Sequence, residues 1–317
     1  MAAPSIDRRA IPAGARVSRW PARDGWALRS FDWPAAGDAA PRGSILFQTG
    51  RGDVFEKYLE AFGHWHRQGW SIRAFDWRGQ GGSGRLTPHP QCGHIDRFET
   101  FIDDLAAFHA EWRADSAGPR VVMGHSMGGH LVLRALVEGA IDADAAVLIA
   151  PMLGVRSPLG ALSERAARLM GALGDPARPA WRGNEKPYTT ETRADLLTHD
   201  ADRYADELWW QAAQPETLTG PPSWHWLAEA FASMRRLERD PRLAELATPL
   251  LMLVADADGL VDPRVARRVA ARLPHARVEA FGRESAHEIL REVDPVRLRA
   301  LGAIDQFLAA EASAEDR

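Results

Sequence analysis

A short apolar run, residues 121–123, leads into the pentapeptide Gly124-His125-Ser126-Met127-Gly128, and a helical pattern of leucines follows it. This order predicts a strand, a sharp turn and a helix, which together raise the Ser126 hydroxyl above a sheet edge. Gly124 and Gly128 suit this geometry because a β-carbon at either position would crowd the crossing of strand and helix. The motif therefore predicts a serine nucleophile, provided that the chain supplies a base and an acid elsewhere.

Strand and helix patterns alternate along the chain on both sides of this motif. An Asp-Gly turn between alternating segments predicts a β-hairpin over residues 16–33. Strands alternating with helices indicate a mostly parallel sheet that is covered on both faces, which is an α/β fold class. Further strands are expected at 44–47, 71–75, 145–149, 249–255 and 278–281, and helices from 55 to Gly69, over 98–112, after Gly128, from Asp262 and over 289–310.

One connection, residues 152–247, is too long for an ordinary crossover between neighbouring strands. Within it, a loop rich in proline and glycine over 174–190 separates helical patterns. The clearest pattern spaces Trp224, Leu227, Phe231 and Met234 along one helix face, which either packs inside this segment or faces a lipid. We therefore divide the chain into an arm (1–14), a core (15–151 and 248–317) and an inserted helical cap or lid (152–247).

A serine hydroxyl needs a general base, usually a histidine, which a carboxylate orients. On this architecture the chain order is serine, acid and then histidine, with each group just after a strand end. His287 follows the last predicted strand and fills the base position. Asp262 precedes Pro263 and is expected to cap a helix. Asp258, on the loop before it, is preferred as the acid over Asp256, and the choice between these two stays open.

The other histidines are expected to have structural roles, and no pair of them has the spacing of zinc ligands. His275 precedes the last strand and should lie at the opposite sheet edge. His125 and His130 flank Ser126 and are expected to pack against the sheet or its neighbouring helix. His89 and His94 lie in a loop, and five others fall on predicted helices: His64, His66, His109, His199 and His225.

The oxyanion of an acyl-transfer intermediate needs two backbone N–H donors. The Met127 N–H is one candidate, because it begins a helix whose dipole favours negative charge. The second is expected from the loop Gly50-Arg51-Gly52, where small residues let a substrate approach the backbone; we assign it to the Arg51 N–H. The alternative is that this loop is only a glycine turn. Gly50, His125, Trp224 and Leu227 are the candidate substrate-binding residues.

Composition excludes several classes of function. The chain has 317 residues and a net charge of −4, which argues against nucleic-acid binding. One cysteine, Cys92, cannot form an internal disulfide and fits a reducing compartment. The absence of a long apolar run and of a secretory signal predicts a cytoplasmic protein. A triad needs no metal or organic cofactor, while oligomeric state and peripheral contact with the inner face of a membrane stay open.

Seven segments of the chain form a recognisable pattern: Gly50-Arg51, Phe55-Glu56-Lys57-Tyr58, Phe75-Asp76-Trp77-Arg78-Gly79-Gln80-Gly81, Gly124-His125-Ser126-Met127-Gly128-Gly129, Ala286-His287-Glu288, Thr198-His199-Asp200 and Trp224-His225-Trp226-Leu227. Together they resemble the bacterial lysophospholipase and monoacylglycerol lipase group of α/β-hydrolases, which includes serine aminopeptidase-type enzymes. The resemblance covers most of the chain after about residue 15. One departure is Thr49-Gly50, where many hydrolases carry His-Gly.

The resemblance implies an α/β-hydrolase fold with Ser126, Asp258 and His287 as nucleophile, acid and base. It also implies a small-molecule acyl ester substrate with a single acyl chain, such as a lysophospholipid or a monoacylglycerol. A peptidase, a thioesterase or an acyltransferase could use the same three residues, and cap sequence alone does not distinguish them. A non-catalytic ligand-binding protein of this fold is the third alternative, which predicts a broken triad.

Overall fold

The computed structural model describes residues 6–36, 41–157, 159–182 and 192–312, and their strands form one eight-stranded sheet. The strand order is β1-β2-β4-β3-β5-β6-β7-β8. The first two strands form the predicted hairpin, β2 also pairs antiparallel with β4, and all other neighbours are parallel. The strands are β1 (Arg16–Pro21), β2 (Ala27–Trp33), β3 (Gly43–Gln48), β4 (Trp70–Phe75), β5 (Arg120–His125), β6 (Ala145–Ile149), β7 (Leu250–Ala255) and β8 (Ala276–Phe281).

Helices follow most strands, as the alternating pattern predicts, and no helix of the described residues is long and apolar enough to cross a membrane. The α-helices are α1 (Leu59–Arg67), α2 (Phe98–Asp115), α3 (Met127–Val137), α4 (Ser163–Ala172), α5 (Arg193–Leu197), α6 (Ala201–Ala213), α7 (Trp224–Arg239), α8 (Pro263–Ala270) and α9 (Asp294–Glu311). Short 3-10 turns span Phe55–Tyr58, Gly160–Leu162, Pro215–Thr217, Pro241–Glu245 and Ile289–Arg291.

Three details of the predicted helices are wrong. The helix expected from Phe55 begins as a 3-10 turn over Phe55–Tyr58, and α1 starts only at Leu59. The closing helix does not run unbroken from Ile289, because a 3-10 turn ends at Arg291 and α9 begins only at Asp294. Pro295 explains the break, since a proline has no N–H to donate to the carbonyl four residues earlier, that of Arg291, but is tolerated in the first helical turn. His199 is not on a helix: it lies in the bend between α5 and α6, where its Nδ1 is 2.9 Å from Glu292 Oε1.

The sheet separates two apolar cores. Side chains of α1 and α9 pack on one face, around Phe47, Trp65 and Phe307. Helices α2, α3 and α8 cover the other face, together with the inner side of α7. Because the central strands β3, β5, β6 and β7 are buried on both faces, their carboxyl ends are held rigidly at one edge of the sheet.

The connection between β6 and β7 carries the helices α4, α5, α6 and α7, of which α4 and α7 pack on each other. The division into arm, core and cap stays a prediction. Some of the predicted segments lie outside the described residues: 1–5 of the arm, 158 and 183–191 of the cap and its loop, and 313–317 of the C-terminal tail.

Candidate active site

Ser126 occupies the turn between β5 and α3 with a backbone conformation that non-glycine residues rarely adopt. Its φ is 52° and its ψ is −115°. The Ser126 N–H donates to the Ile149 carbonyl at 2.9 Å, and its own carbonyl accepts from the His130 and Met152 N–H groups at 3.0 and 2.9 Å. The turn can be this tight because an added β-carbon would lie 2.6 Å from backbone atoms at Gly124 and 2.4 Å at Gly128. These contacts hold the serine in its strained conformation at the sheet edge.

His287 and Asp258 lie close together beyond the ends of β8 and β7. The His287 Nδ1–H donates to Asp258 Oδ2 at 2.6 Å, and both side chains are buried. The other oxygen, Asp258 Oδ1, accepts from the Leu260 N–H at 2.7 Å and the Val261 N–H at 3.0 Å. Asp256 instead pairs with Arg267 at 2.6 Å, and its side chain is 49% exposed. The geometry therefore supports Asp258, and not Asp256, as the partner of His287.

The Asp258 carboxylate is stabilised in its ionised form. Burial alone would raise its pKa, but the charge and hydrogen bond of His287 and the two backbone N–H groups outweigh burial, so the pKa lies below its ordinary value. An ionised Asp258 accepts from Nδ1 and leaves Nε2 of His287 as the nitrogen that can take a proton. This is the tautomer that a general base beside a serine requires.

Ser126 and His287 line one cavity of about 350 Å³. Apolar side chains make up most of its wall, including Met152, Leu196 and Phe231. Of the predicted substrate-binding residues, Gly50, His125, Trp224 and Leu227 all line it. The apolar stripe of α7 is divided: Trp224, Leu227 and Phe231 face the cavity, whereas Met234 is buried in the core.

The loop that carries the predicted Arg51 donor lies beside the serine, and the predicted Met127 donor directly follows Ser126 in the chain. Gly50 abuts the nucleophile turn, since a β-carbon on it would lie 3.3 Å from Ser126 Cβ and 3.0 Å from His125 Nδ1. The Gly50 N–H donates a hydrogen bond to Asp53 Oδ2 at 3.2 Å, and the Gly52 N–H donates to Gln80 Oε1 at 2.7 Å. No described group accepts from the Arg51 N–H between them. Met127 is the first residue of α3, where N–H groups lack acceptors within the helix.

A buried group of charged side chains lies beneath the cavity, and it was not predicted from the sequence. We name this group the Lys57 cluster. It consists of Lys57, Asp53, Glu207, Glu288 and Arg291. Lys57 Nζ lies 2.6 Å from Asp53 Oδ1, 2.9 Å from Glu207 Oε2 and 2.5 Å from Glu288 Oε1. Arg291 pairs with Glu288 and, at 3.2 Å, with Glu207. The cluster thus joins the loop after β3, helix α6 and the loop that carries His287.

Burial and mutual attraction compete within the Lys57 cluster. Burial acts against charge on every member, but the neighbouring cations keep the pKa of Asp53 and Glu288 below their ordinary values. The pKa of Lys57 is raised, because the attraction of the three carboxylates exceeds the effect of burial. All members are therefore ionised near neutral pH. In the sequence their only signal is that Lys57 and Glu288 fall inside segments that carry the family resemblance.

His125 connects this cluster to the proposed triad. Its Nδ1 lies 2.7 Å from the Tyr58 hydroxyl, which lies 2.7 Å from Asp53 Oδ2. Its Nε2 lies 3.3 Å from the His287 carbonyl oxygen, so the residue beside the nucleophile contacts the loop of the base. The described residues contain no group of histidine, cysteine, aspartate or glutamate side chains that could hold a metal ion.

The chain matches known proteins over most of its length. The family model described as "Serine aminopeptidase, S33" matches residues 39–294. Lysophospholipase L2 of Escherichia coli (strain K12) is 32% identical over 280 residues, which are 83% of this chain and 79% of that protein. Probable lysophospholipase L2 of Haemophilus influenzae is 27% identical over 273 residues, which are 86% and 85% of the two chains.

Solved structures share the fold. A soluble variant of monoglyceride lipase from Saccharomyces cerevisiae superposes with a TM-score of 0.78 at 18% identity, covering 98% of this chain and 100% of that one. Monoacylglycerol lipase from Paleococcus ferrophilus gives 0.70 at 20% identity, covering 90% and 99%. The expected fold and the expected family resemblance are thereby confirmed. The chain belongs to the serine aminopeptidase S33 family of α/β-hydrolases, is related to lysophospholipase L2, and is a carboxylic ester hydrolase.

Proposed function

We propose that this enzyme cleaves the ester of a lipid with a single acyl chain, through an acyl-enzyme on Ser126, His287 and Asp258. The observation that carries the proposal is the hydrogen bond from His287 to Asp258 at 2.6 Å beside a cavity that Ser126 also lines. A serine, a buried carboxylate and a histidine, in that chain order, are the groups that acyl transfer needs on this fold.

The proposed reaction has two halves. The Ser126 oxygen attacks the ester carbonyl while His287 takes the proton of the Ser126 hydroxyl. The Arg51 and Met127 N–H groups bind the resulting oxyanion. His287 then gives that proton to the leaving alcohol, and the C–O bond breaks to leave Ser126 acylated. In the second half, His287 takes a proton from a water molecule as that water attacks the acyl carbonyl. It then returns the proton to the Ser126 oxygen as the bond between this oxygen and the acyl carbon breaks, which releases the fatty acid and restores the serine.

The substrate class follows from the cavity and the relatives. The cavity has an apolar wall built by helices between β6 and β7, which suits one acyl chain rather than a polar peptide. Its volume of about 350 Å³ is at the small end for ligand sites. The curated relatives are named lysophospholipases, and a structural neighbour is a monoglyceride lipase. Lysophospholipid and monoacylglycerol are therefore the leading substrates.

The test compares wild type with Ser126→Ala on lysophosphatidylcholine, monoacylglycerol, long- and short-chain nitrophenyl esters, an acyl thioester and a peptide amide. We expect hydrolysis of the long-chain esters by wild type and a loss of at least about 10³-fold without the serine hydroxyl. A trapped acyl group on Ser126, detected by mass spectrometry, identifies the intermediate. Undiminished ester turnover by Ser126→Ala contradicts the mechanism.

The same panel distinguishes the alternatives on this triad. Preferred cleavage of the peptide amide favours a peptidase, and preferred cleavage of the thioester favours a thioesterase. Acyl transfer to an added alcohol in place of water indicates an acyltransferase. Binding without any turnover of these compounds indicates a non-catalytic protein of this fold. Each of these results would replace the lipid esterase proposal.

We also propose that the enzyme contacts membrane surfaces through α4 and the turn before it. Four leucines in this segment or directly flanking it are exposed: Leu159 by 53%, Leu162 by 57%, Leu169 by 61% and Leu173 by 63%. The last three recur at spacings of seven and four, so they lie on one helix face. Leu159 also lines the cavity, which makes this apolar surface continuous with the site. Such a face can rest in the interfacial region of a bilayer while its helix spans nothing.

Vesicle flotation tests this contact. Replacing Leu162, Leu169 and Leu173 together by serine should reduce the fraction bound to phosphatidylcholine vesicles by several-fold, because each leucine adds about 1.5–3 kcal/mol when fully buried. Leu298→Ser is the matched control, since Leu298 is 57% exposed on the distant helix α9. Equal binding by the triple variant and the control contradicts the contact.

A further inference from the structure

The Arg51 side chain is a cation of the cavity wall that has no counter-ion among the residues that the structure describes. It lines the cavity, is partly buried, and has no carboxylate of the described residues within 4.0 Å of its guanidinium. Its one polar contact there is a hydrogen bond from Nη1 to the Gly220 carbonyl at 2.8 Å. The guanidinium lies 5.8 Å from the centre of the Trp226 ring. A guanidinium has five N–H donors, so most of them are left for a ligand.

The other charged groups of the cavity wall are mostly already compensated. Asp53 and Glu288 belong to the Lys57 cluster, and Arg193 donates to Glu207 at 2.7 Å. Arg156, the remaining cation among the described lining residues, is exposed, so water screens its charge. Burial, aided by repulsion from Arg193, lowers the pKa of Arg51 to about 10, so it stays charged at neutral pH. A partly buried cation without a counter-ion is costly unless an anion reaches it.

We propose that the Arg51 guanidinium binds the phosphate of the lipid head group and thereby makes the enzyme prefer phosphate-bearing single-chain esters over neutral ones. This inference rests on the proposed function and names which of its two leading substrates the site favours. The backbone N–H and the side chain of one residue would then contact two parts of one substrate, the reacting carbonyl and the head group.

The distances agree with this arrangement. Six bonds separate the ester carbonyl carbon from phosphorus in a lysophospholipid acylated at the terminal glycerol oxygen, which is roughly 7 Å when extended at ordinary bond lengths. The arginine side chain covers about the same distance from its Cα to its terminal nitrogens. An oxyanion held by the Arg51 N–H therefore places the phosphate within reach of the same residue's guanidinium.

Substrate selectivity tests the proposal. The measured quantity is the ratio of kcat/KM for lysophosphatidylcholine to kcat/KM for a monoacylglycerol with the same acyl chain in the same detergent micelles. We expect Arg51→Met to lower this ratio by about tenfold or more, the effect of losing one hydrogen bond to a charged group. Arg51→Lys should retain part of the preference for lysophosphatidylcholine, because an ammonium group still attracts phosphate although it cannot form the bidentate contact of a guanidinium. Lysophosphatidate should follow lysophosphatidylcholine, since the two share the phosphate and not the choline.

Arg85→Met is the matched control. Arg85 is also partly buried, donates to the Glu216 and Leu218 carbonyls at 3.1 and 2.7 Å, and has no carboxylate partner among the described residues. It braces the same segment as Arg51 but does not line the cavity. If bracing were the role of Arg51, both variants would change the two activities alike.

The outcomes separate the two proposals. A ratio that stays the same in Arg51→Met and Arg51→Lys overturns the phosphate contact and leaves the esterase intact. The phosphate contact is also overturned if Arg51→Met lowers kcat/KM for lysophosphatidylcholine but not for lysophosphatidate. In that case the choline, and not the phosphate, would be the group that Arg51 recognises. Failure of wild type to hydrolyse either lipid contradicts the proposed function itself.

Discussion

Ser126 carries the strain of the site in its own backbone, with φ at 52° and ψ at −115°. A β-carbon in such a region costs roughly 1–3 kcal/mol, whereas glycine avoids that cost and loses about 0.5–1 kcal/mol in chain entropy. We therefore expect Ser126→Gly to be more stable than Ser126→Ala by about 1 kcal/mol, although both are inactive. Urea unfolding at neutral pH measures the difference. An alanine variant as stable as the glycine variant contradicts the idea of strain at this residue.

Replacing the two aspartates that follow β7 one at a time should affect kcat very differently. Asp258→Asn should lower kcat by about 10³- to 10⁴-fold, because an amide no longer fixes the His287 tautomer or balances its charge. Asp256→Asn should change kcat by less than about threefold, since it removes only an exposed ion pair with Arg267. Steady-state hydrolysis of a nitrophenyl ester gives both values. The reverse order would assign the acid to Asp256.

At the level of elements, the Lys57 cluster connects three segments that the sheet alone does not hold together. Lys57→Met would leave three buried carboxylates with too few cations, which typically costs about 3–5 kcal/mol. We expect that loss in urea unfolding at pH 8 and a smaller one at pH 5. The loss is smaller at pH 5 because Lys57 is one of the cations that lower the pKa of Asp53 and Glu288 in the wild type. Without it, these carboxylates take up protons at a higher pH, which relieves the repulsion.

Arg268→Met is the control for the cluster. Arg268 pairs with Glu238 at 2.9 Å, and both side chains are well exposed. Pairs of this kind contribute about 0–1 kcal/mol, so this variant should unfold almost as the wild type does. A Lys57→Met variant that behaves like Arg268→Met, or whose deficit is the same at both pH values, contradicts a buried ionic connection.

The elements were predictable where one local rule decides them. Alternation and helical spacing located all eight strands of the described residues, and the Asp262-Pro263 pair located the start of α8, where Asp262 Oδ1 accepts from the Arg264 N–H at 2.9 Å. The position of His287 beside Asp258 followed from the chain order on parallel sheets.

What the sequence could not show depends on contacts between distant residues. Lys57, Glu207 and Glu288 come from three separate elements, and no spacing rule relates them. The same holds for Arg51 and Gly220, which lie 169 positions apart. The break at residues 289–293 was missed because apolar spacing continued through it, although Pro295 gave a local signal.

For the whole molecule, the buried carboxylates define the dependence of stability on pH. Neighbouring cations overcome the effect of burial and lower the pKa of Asp53, Glu60 and Glu288, and the contact with His287 together with backbone hydrogen bonds does the same for the pKa of Asp258. A carboxyl group whose pKa is lowered in the folded state stabilises the fold at pH values above its unfolded pKa, which is near 4. This stabilisation is lost progressively as the pH falls from that value towards the folded pKa. We therefore expect a steep decrease in the urea midpoint between about pH 4 and pH 3.

Asp76 acts in the opposite direction. Burial, with the nearby Glu56, raises its pKa to about 6 against the attraction of Arg29. A raised carboxyl pKa gives stability that grows as the pH falls through about 6, so the urea midpoint should hold or rise between pH 7 and pH 5. Midpoints at pH 7, 5, 4 and 3 record the whole profile. A midpoint that rises without interruption down to pH 3 contradicts the ionised carboxylates of the Lys57 cluster.

The order of strands in the sheet also sets when activity can first arise during folding. Ser126 and His287 are separated by 161 positions (287 − 126), and β6, β7 and β8 must all dock before the two residues meet. Contacts of such long range form late, since closing the intervening chain costs entropy before it yields any contact. Trp70 contacts Arg42, and Trp77 contacts Phe75, Phe101 and the Thr49 carbonyl, all of which precede Ser126 in the chain. In refolding from denaturant, tryptophan fluorescence should therefore recover before ester turnover, which makes turnover a strict measure of completed folding.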